Sequence, residues 1–250
     1  MRMILRWVFR LIVGVLLGIL VYEGVLFVRV LWLRSHNPSS TSLINTRISE
    51  AEDKGLQPRR EQSWVGLDKI STNLQRAVLA GEDTNFVSHH GFDYEAIQKA
   101  FEQAQREASK EAKKEGEDDD WLPSLPEFRR GGSTISQQLA KNLYLSSQRS
   151  FVRKGQEAIV TIMLERTMSK RRILEIYLNV IEWGDGIYGA EAAAQHYFHK
   201  PAASLAPNEA AFLSAMIPNP RTVFNPQVNP KRVARRQRII MRGMPFVKLP

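Results

Sequence analysis

The feature that most constrains this chain is a long apolar run near its N-terminus. Residues 11–33 are largely apolar, and the only charged residues among them are Glu23 and Arg29. A helix needs about 20 such residues to cross the bilayer core, and charges toward one end can reach the interface. The run is too long for the apolar region of a cleaved signal peptide, and no A-x-A cleavage site follows it. We therefore predict an uncleaved single-pass transmembrane anchor over residues 1–34.

The charge distribution orients this anchor and narrows the choice of partners. Arg2, Arg6 and Arg10 precede the apolar run, which predicts a cytoplasmic N-terminus and an extracytoplasmic domain. The formal charge of +9 suits nucleic acid, phosphate-bearing substrates or an anionic membrane surface. Outside the cytoplasm nucleic acid is the least suitable of these, and we expect no nucleic-acid partner. The chain has no cysteine, so its core alone must hold the domain.

Beyond the anchor the sequence pattern is mostly helical. Residues 35–66 begin with a polar stretch, which we interpret as a linker leading into the domain with at most a minor β element. From 67 to 250, apolar residues recur three and four positions apart and β-branched alternation is scarce. An insertion at about 102–128 is dense in charges, which predicts a solvated helix end and a loop. The expected fold class is all-α, with one domain over 67–250.

The segment GEDTNFVSHHGFD, residues 81–93, contains two adjacent carboxylates, an aromatic ring and two histidines. Neighbours on a helix point about 100° apart, so only one of Glu82 and Asp83 can face a given cleft. Glu82 fits a general base, whereas Asp83 suits backbone capping, pairing with a base or binding a divalent cation. His89 is expected to brace the turn before Gly91. Structural zinc is not expected, because the spacing is wrong and cysteine is absent.

The stretch GGSTISQQLAKN predicts a helix that begins after two glycines, with Ser133 or Thr134 as its cap. Thr134, Gln138 and Lys141 are four and three positions apart and share one face, which Asn142 flanks. A hydroxyl, an amide and an ammonium beside a glycine-rich helix start form a good anion cradle. The alternative is an ordinary capped amphipathic helix, which spacing alone favours.

The following helix carries Arg153, Lys154 and Glu157 near its start. Arg153 and Glu157 have the i,i+4 spacing of a routine surface ion pair, which taken alone is the better interpretation. Beside Lys141, however, these cations are suited to hold a pyrophosphate, with Glu157 orienting them. This helix is also predicted to be amphipathic, with an apolar face formed by Val152, Ile159 and Met163.

Four motifs follow one another in this sequence. They are E-D-x-x-F-x-x-H-x-G at 82–91, G-G-S-T-I-S-Q-Q-L-A-K-N at 131–142, R-K-x-x-E at 153–157 and R-R-I-L-E-I-Y-L-N at 171–179. In this order they closely resemble the motifs of the peptidoglycan glycosyltransferase family, whose domains form the head of bifunctional penicillin-binding proteins and also occur alone. The resemblance covers about 67–219. Any one motif would be weak, but four in order are specific.

This resemblance implies a lysozyme-like all-α head with a smaller, membrane-proximal jaw lobe. It implies a glycosyltransferase that polymerises lipid II into glycan strands, with release of undecaprenyl pyrophosphate and inversion of configuration. It also implies that Glu82 is the general base and that Glu157 is a second essential carboxylate. The candidate substrate-binding residues are Asp83, Phe86, His89, Ser133, Thr134, Gln138, Lys141, Asn142, Arg153 and Lys154.

The resemblance further suggests cofactor, partners and location. It links Asp83 to a divalent cation, Mg²⁺ or Mn²⁺, and implies no organic cofactor. The implied partners are lipid II with its growing lipid-linked chain, the membrane, and cell-wall synthesis or division proteins; the implied location is the bacterial inner membrane. No serine is followed by lysine at the S-x-x-K spacing, so we expect neither transpeptidase activity nor penicillin binding.

The sequence departs from the family pattern at the insertion, which lengthens the region of the jaw with charge instead of apolar residues. The insertion contains four large apolar residues: Trp121, Leu122, Leu125 and Phe128. Either these residues insert into the membrane, or they only fix the loop to the domain. Two other functions stay open, a lysozyme-like lytic enzyme that cleaves glycan strands and a non-catalytic cell-wall scaffold. A lytic enzyme would not require Lys141, Arg153 and Lys154 together, because polymeric glycan carries no pyrophosphate.

Overall fold

The N-terminal apolar run forms one helix, α1, over Arg2–Trp32 in the computed structural model. At a rise of 1.5 Å per residue, α1 is about 46 Å long and exceeds the bilayer core. Most of its side chains are exposed, but Leu26, Val30 and the adjoining Leu33 are buried against the rest of the protein. Within the part of the chain that the structure describes, α1 alone is long and apolar enough to span a membrane. The described residues are 2–99, 101–102, 105–106, 133–145 and 150–250.

The rest of the described chain is a head built mainly from short helices, which confirms the all-α fold class. Several of these helices begin after a hydroxyl side chain whose oxygen accepts the backbone N–H three residues later, as at Ser71, Thr134, Ser150 and Ser169. The cap at Thr134 is one of the two that the sequence predicts for its helix. After α1 come α2 (Ser42–Glu52), α3 (Thr72–Glu82), a helical stretch over 94–99, α4 (Ile135–Tyr144), α5 (Phe151–Thr167), α6 (Lys170–Val180), α7 (Ala190–Phe198), α8 (Pro207–Met216) and α9 (Pro230–Gly243).

The β content is small, as expected. Strand β1 (Glu61–Gln62) pairs in parallel with β3 (Ile187–Tyr188), which pairs antiparallel with β2 (Glu182–Gly184). The sheet ties the segment after α2 to the chain that follows α6. Asn179 strengthens this tie, because its side chain accepts the Val65 N–H at 3.0 Å and donates to the Val65 carbonyl at 2.9 Å.

Helix α2 lies in the segment that the sequence suggested was a linker. Thr41 caps α2 by accepting the Ile44 N–H at 3.2 Å, and Ile44 is completely buried. The Ser42 hydroxyl donates to the Leu145 carbonyl at 2.9 Å, which fastens α2 to the end of α4. With a single buried apolar residue, this helix has too little periodicity to be recognised from sequence.

The apolar face predicted for α5 is present only in part. Met163 packs against the core, whereas Val152 is 85% exposed and Ile159 is 41% exposed. The fully buried apolar residues of α5 are Val160 and Leu164. Gln156, which lies near Val152 and Ile159 on the helix, donates to Glu23 of α1 at 3.2 Å. The exposed end of the predicted face is therefore on the side of α5 that meets α1.

Helix α3 ends between α8 and α9, and a glycine makes that approach possible. A Cβ on Gly81 would lie 2.7 Å from Ser214 Oγ of α8 and 3.1 Å from Ile240 Cδ1 of α9. The Ser214 hydroxyl donates to the Ala77 carbonyl at 2.8 Å, which holds α3 against α8. This packing fixes the position of Glu82, the last residue of α3.

The charged insertion predicted to lengthen the jaw lobe, at 102–128, lies almost entirely outside the described residues, as do Trp121, Leu122, Leu125 and Phe128.

Candidate active site

Glu82, at the end of α3, lies at the centre of a hydrogen-bonded group that includes side chains from three other helices. Its Oε1 accepts from Arg236 of α9 at 2.7 Å, and its Oε2 accepts from the Gln138 amide of α4 at 2.9 Å. The Tyr177 hydroxyl of α6 donates to the Gln138 carbonyl oxygen at 2.8 Å and so fixes the orientation of this amide. Burial raises the pKa of Glu82, while Arg236 and then Gln138 oppose the increase. The carboxyl group is thus held rigidly and is more basic than an ordinary glutamate.

Asp83 and His89, next to Glu82, connect the end of α3 to the start of α4. The Asp83 carboxylate accepts from His89 Nε2 at 2.9 and 3.1 Å and from the Ile135 N–H, at the start of α4, at 2.9 Å. His89 Nδ1 in turn accepts the Gly91 N–H at 3.1 Å, where Gly91 has a φ of 92°. His89 therefore braces the turn before Gly91, as predicted, and Asp83 joins this turn to α4.

The arrangement around Asp83 does not fit a divalent cation. Its oxygens already accept hydrogen bonds, and the described residues contain no group of three or more histidine, cysteine, aspartate or glutamate residues that could hold a metal ion. A six- to eight-coordinate Ca²⁺ or octahedral Mg²⁺ needs several free oxygens.

Phe86 and Thr134 make structural contacts at the site, and Thr134 also lines a cavity of about 280 Å³ that Glu82 borders. Phe86 is completely buried, and Lys170 Nζ lies 4.4 Å from the centre of its ring. The Thr134 hydroxyl donates to the Gly91 carbonyl at 2.7 Å and accepts the Gln137 N–H at 3.2 Å. The Gln137 side chain accepts the Thr134 N–H at 3.0 Å, which completes a capping box. These contacts stabilise the site, and the substrate-binding role of Phe86 and Thr134 stays a prediction.

A cavity of about 520 Å³ opens in front of Glu82. Four residues predicted from α4 and its start line it: Ser133, Gln138, Lys141 and Asn142. A second cavity of about 280 Å³ shares Glu82 and Ser133 with the first, so Glu82 borders both spaces. The remaining residues of the larger cavity are Leu43, Arg47, Ile181, Glu182, Ile217, Pro218, Asn219, Pro220 and Arg221.

A cationic cluster on α5 lies next to this cavity. Arg153 Nη1 is 3.0 Å from Glu157 Oε2, and Lys154 contacts the other oxygen of this buried carboxylate. The predicted ion pair is thus present, yet Arg153 Nε is buried without a hydrogen-bond partner among the described residues. Burial lowers the pKa of Lys141; Glu157 opposes this shift, and Arg153 and Lys154 reinforce it. Lys141 therefore connects the cavity of Glu82 electrostatically to the cluster, although Arg153, Lys154 and Glu157 do not line that cavity.

Sequence reasoning missed Arg236, Tyr177 and Glu182. Arg236 belongs to the stretch 231–242 near the C-terminus, which is rich in basic residues and carries none of the four motifs. A signal was present, because Arg236 is three residues after Val233 and four before Ile240, the two buried residues of α9. A cation on the buried face of a helix requires a partner, and here the partner is Glu82.

Fold and site together define a class: a helical enzyme head attached to an apolar helix, with a buried carboxyl group of raised pKa facing a cavity beside clustered cations. The family model described as Transglycosylase matches residues 49–116 and 122–245, and this chain belongs to that family. Relatives named biosynthetic peptidoglycan transglycosylase include those of Thiobacillus denitrificans (45% identical over 250 residues, all of both chains), Azoarcus sp. (44% over 239 residues, 96% of this chain and 95% of the relative) and Herminiimonas arsenicoxydans (42% over 250 residues, all of both chains). The resemblance seen in the four motifs is confirmed.

Proposed function

We propose that this protein is a peptidoglycan glycosyltransferase that polymerises lipid II into glycan strands and releases undecaprenyl pyrophosphate. The observation that carries the proposal is the position of Glu82, which is buried, held by Arg236 and Gln138, and shares a cavity with Lys141. The family membership and the names of the relatives support the same reaction class.

Glu82 is the proposed general base. It takes the proton of the acceptor sugar hydroxyl, whose oxygen attacks the anomeric carbon of the lipid-linked donor sugar and inverts its configuration. The raised pKa of Glu82 makes the carboxylate a stronger base than an exposed one. The two cavities that border Glu82 give room for an acceptor sugar and a donor sugar on its two sides.

The cations are proposed to bind the departing pyrophosphate. This leaving group needs charge neutralisation more than protonation, so clustered cations replace a general acid. Lys141, Arg153 and Lys154 supply these charges, and Glu157 orients the last two. Mg²⁺ or Mn²⁺ is proposed only as a counter-ion that the substrate pyrophosphate brings, because Asp83 is already engaged.

The membrane is proposed to be the bacterial inner membrane, with α1 as a single-pass anchor and the head outside the cytoplasm. Arg2, Arg6 and Arg10 support this orientation. Such an anchor suits an enzyme whose lipid-linked substrate stays in the bilayer. Proteins of cell-wall synthesis or division are proposed as further partners.

The test is polymerisation of lipid II by the full chain, with purified sacculi as a second substrate. We expect strand growth from lipid II, no release of fragments from sacculi, abolished growth for Glu82→Gln and a severe loss for Lys141→Ala. Lys69→Ala removes the same charge from an exposed position away from the cavity and should behave like the wild type. Near-normal turnover by folded Glu82→Gln would refute the assignment of the base, and cleavage of sacculi would favour a lytic enzyme.

A further inference from the structure

A second buried carboxylate, Glu182 of β2, lines the cavity that Glu82 borders. Its side chain is only 6% exposed. Oε2 accepts from Arg47 Nε at 3.2 Å and lies 3.1 Å from Arg47 Nη2. Oε1 is buried and has no hydrogen-bond partner in the described parts of the chain. An unpaired buried acceptor costs free energy, so a carboxylate in a cavity wall points to a ligand that supplies the missing donor.

The charges around Glu182 indicate what kind of ligand group fits. Arg47 also pairs with Glu50 at 2.8 Å, and Arg221 pairs with Glu50 at 3.2 Å and with Asp185 at 3.0 Å. Three carboxylates thus face two guanidinium groups, and both guanidinium groups are already paired. Among the described residues, this part of the cavity has no unpaired cation for an anion, whereas Oε1 of Glu182 lacks a donor.

The other polar groups of the cavity wall are complementary to Glu182. The side chains of Ser133, Lys141 and Asn142 line the cavity and make no side-chain hydrogen bond or ion pair with any other described residue. All three offer donors, and Lys141 also offers positive charge. Donors in one part of the cavity and a buried acceptor in another suit a ligand with its own acceptors and donors, as an N-acetylated amino sugar has.

We propose that Glu182 is a substrate-binding residue whose Oε1 accepts a hydrogen bond from a hydroxyl or an acetamido N–H of the amino sugar held against Glu82. This inference rests on the proposed function and deepens it, because it assigns part of the sugar selectivity to Glu182. Arg47 acts as a positioning residue here, because its two nitrogens fix Oε2 and thereby direct Oε1.

Glu182→Gln tests this role with almost no change in volume. The amide oxygen must face the donors of Arg47, so the amide NH₂ replaces Oε1 and meets the sugar donor with another donor. Because a hydrogen bond to a charged group is worth about 1.5–3 kcal/mol, we expect KM for lipid II to rise about tenfold to hundredfold, with kcat changed much less.

Glu50→Gln is the matched control. It removes the other carboxylate that pairs with Arg47, but Glu50 does not line the cavity. If Glu182 acted only as a counter-ion of Arg47, both variants would raise KM equally, and the inference would be overturned. Thermal melting of both variants separates a loss of binding from a loss of folding.

Two lipid II analogues identify the donor, one lacking the primary hydroxyl of the amino sugar and one with its acetamido nitrogen methylated. We expect one analogue to bind more weakly than lipid II to the wild type but equally well to Glu182→Gln, because the variant has already lost that bond. Equal losses for wild type and variant with both analogues would overturn the inference, as would an unchanged KM for Glu182→Gln. A wild type that does not polymerise lipid II at all would instead refute the proposed function.

Discussion

The ion pair between Arg236 and Glu82 leads to the sharpest prediction, which concerns the pH dependence of activity. The guanidinium nitrogen lies 2.7 Å from Glu82 Oε1, so the two charges are centred about 4 Å apart. At an effective dielectric constant of about 20 they interact by about 4 kcal/mol. Arg236 is 27% exposed, and solvent screening reduces the useful part to about 2 kcal/mol. A free energy of this size corresponds to about a 30-fold change in an equilibrium constant.

The sign follows from the role of the base. Glu82 acts when deprotonated, and Arg236 stabilises that form against the burial that raises its pKa. Arg236→Met should therefore raise the pKa of Glu82 further and move the acid limb of the kcat/KM profile to higher pH. At pH values below the acid limbs of both enzymes, Arg236→Met should be about 30-fold slower than the wild type. Its activity should recover as the pH increases.

The assay is lipid II polymerisation followed over a range of pH, with thermal melting as a check on folding. Arg232→Met is the matched control, because Arg232 stacks on the same Phe224 ring at 5.7 Å, against 5.5 Å for Arg236, yet makes no ion pair with Glu82. Arg236→Lys keeps the charge and should keep most of the wild-type profile. A folded Arg236→Met enzyme with an unshifted acid limb would refute the reasoning.

Other predictions concern the framework and the cation. Thr134→Ala loses the helix cap and the bond to the Gly91 carbonyl, and should lower the free energy of unfolding by about 1–2 kcal/mol in denaturant titrations, whereas Thr134→Ser should not. Phe86→Ala should cost about 3–5 kcal/mol in the same titration; Ser133→Ala should stay within about 0.5 kcal/mol but raise KM for lipid II. Chelation of divalent cations should leave the melting temperature of the substrate-free protein unchanged, because Asp83 is already satisfied; a clear fall would indicate a cation held by the protein.

The sequence allowed good prediction of what depends on local spacing. Thr134 caps its helix, as predicted, because capping involves residues three positions apart. Gln138 and Lys141 share a cavity because they are three apart on one helix. That they lie near Glu82 was expected only from the resemblance of the ordered motifs to a known family, since no local rule relates residues that are more than fifty positions apart.

What depends on tertiary contact was missed. Arg236 and Glu82 are 154 positions apart, and only the packing of α3 against α9 brings them together. The exposure of Val152 was not predicted either, because periodicity identifies an apolar face without saying how much of that face tertiary packing covers. The structural contacts of Phe86 and Thr134 were also not predicted, because a motif contains both the residues that shape a site and the residues that touch its ligand.

The way α1 joins the head has a consequence for how substrate arrives. Leu26, Val30 and Leu33 are buried in the same core as the helices of the candidate site, and Glu23 accepts a hydrogen bond from Gln156 about one turn before Leu26 along α1. The head is therefore fixed to α1, and the two move together. With α1 as the proposed membrane anchor, the mouth of the cavity stays at a constant height above the lipid surface, so that capture of a lipid-borne sugar becomes a search in two dimensions.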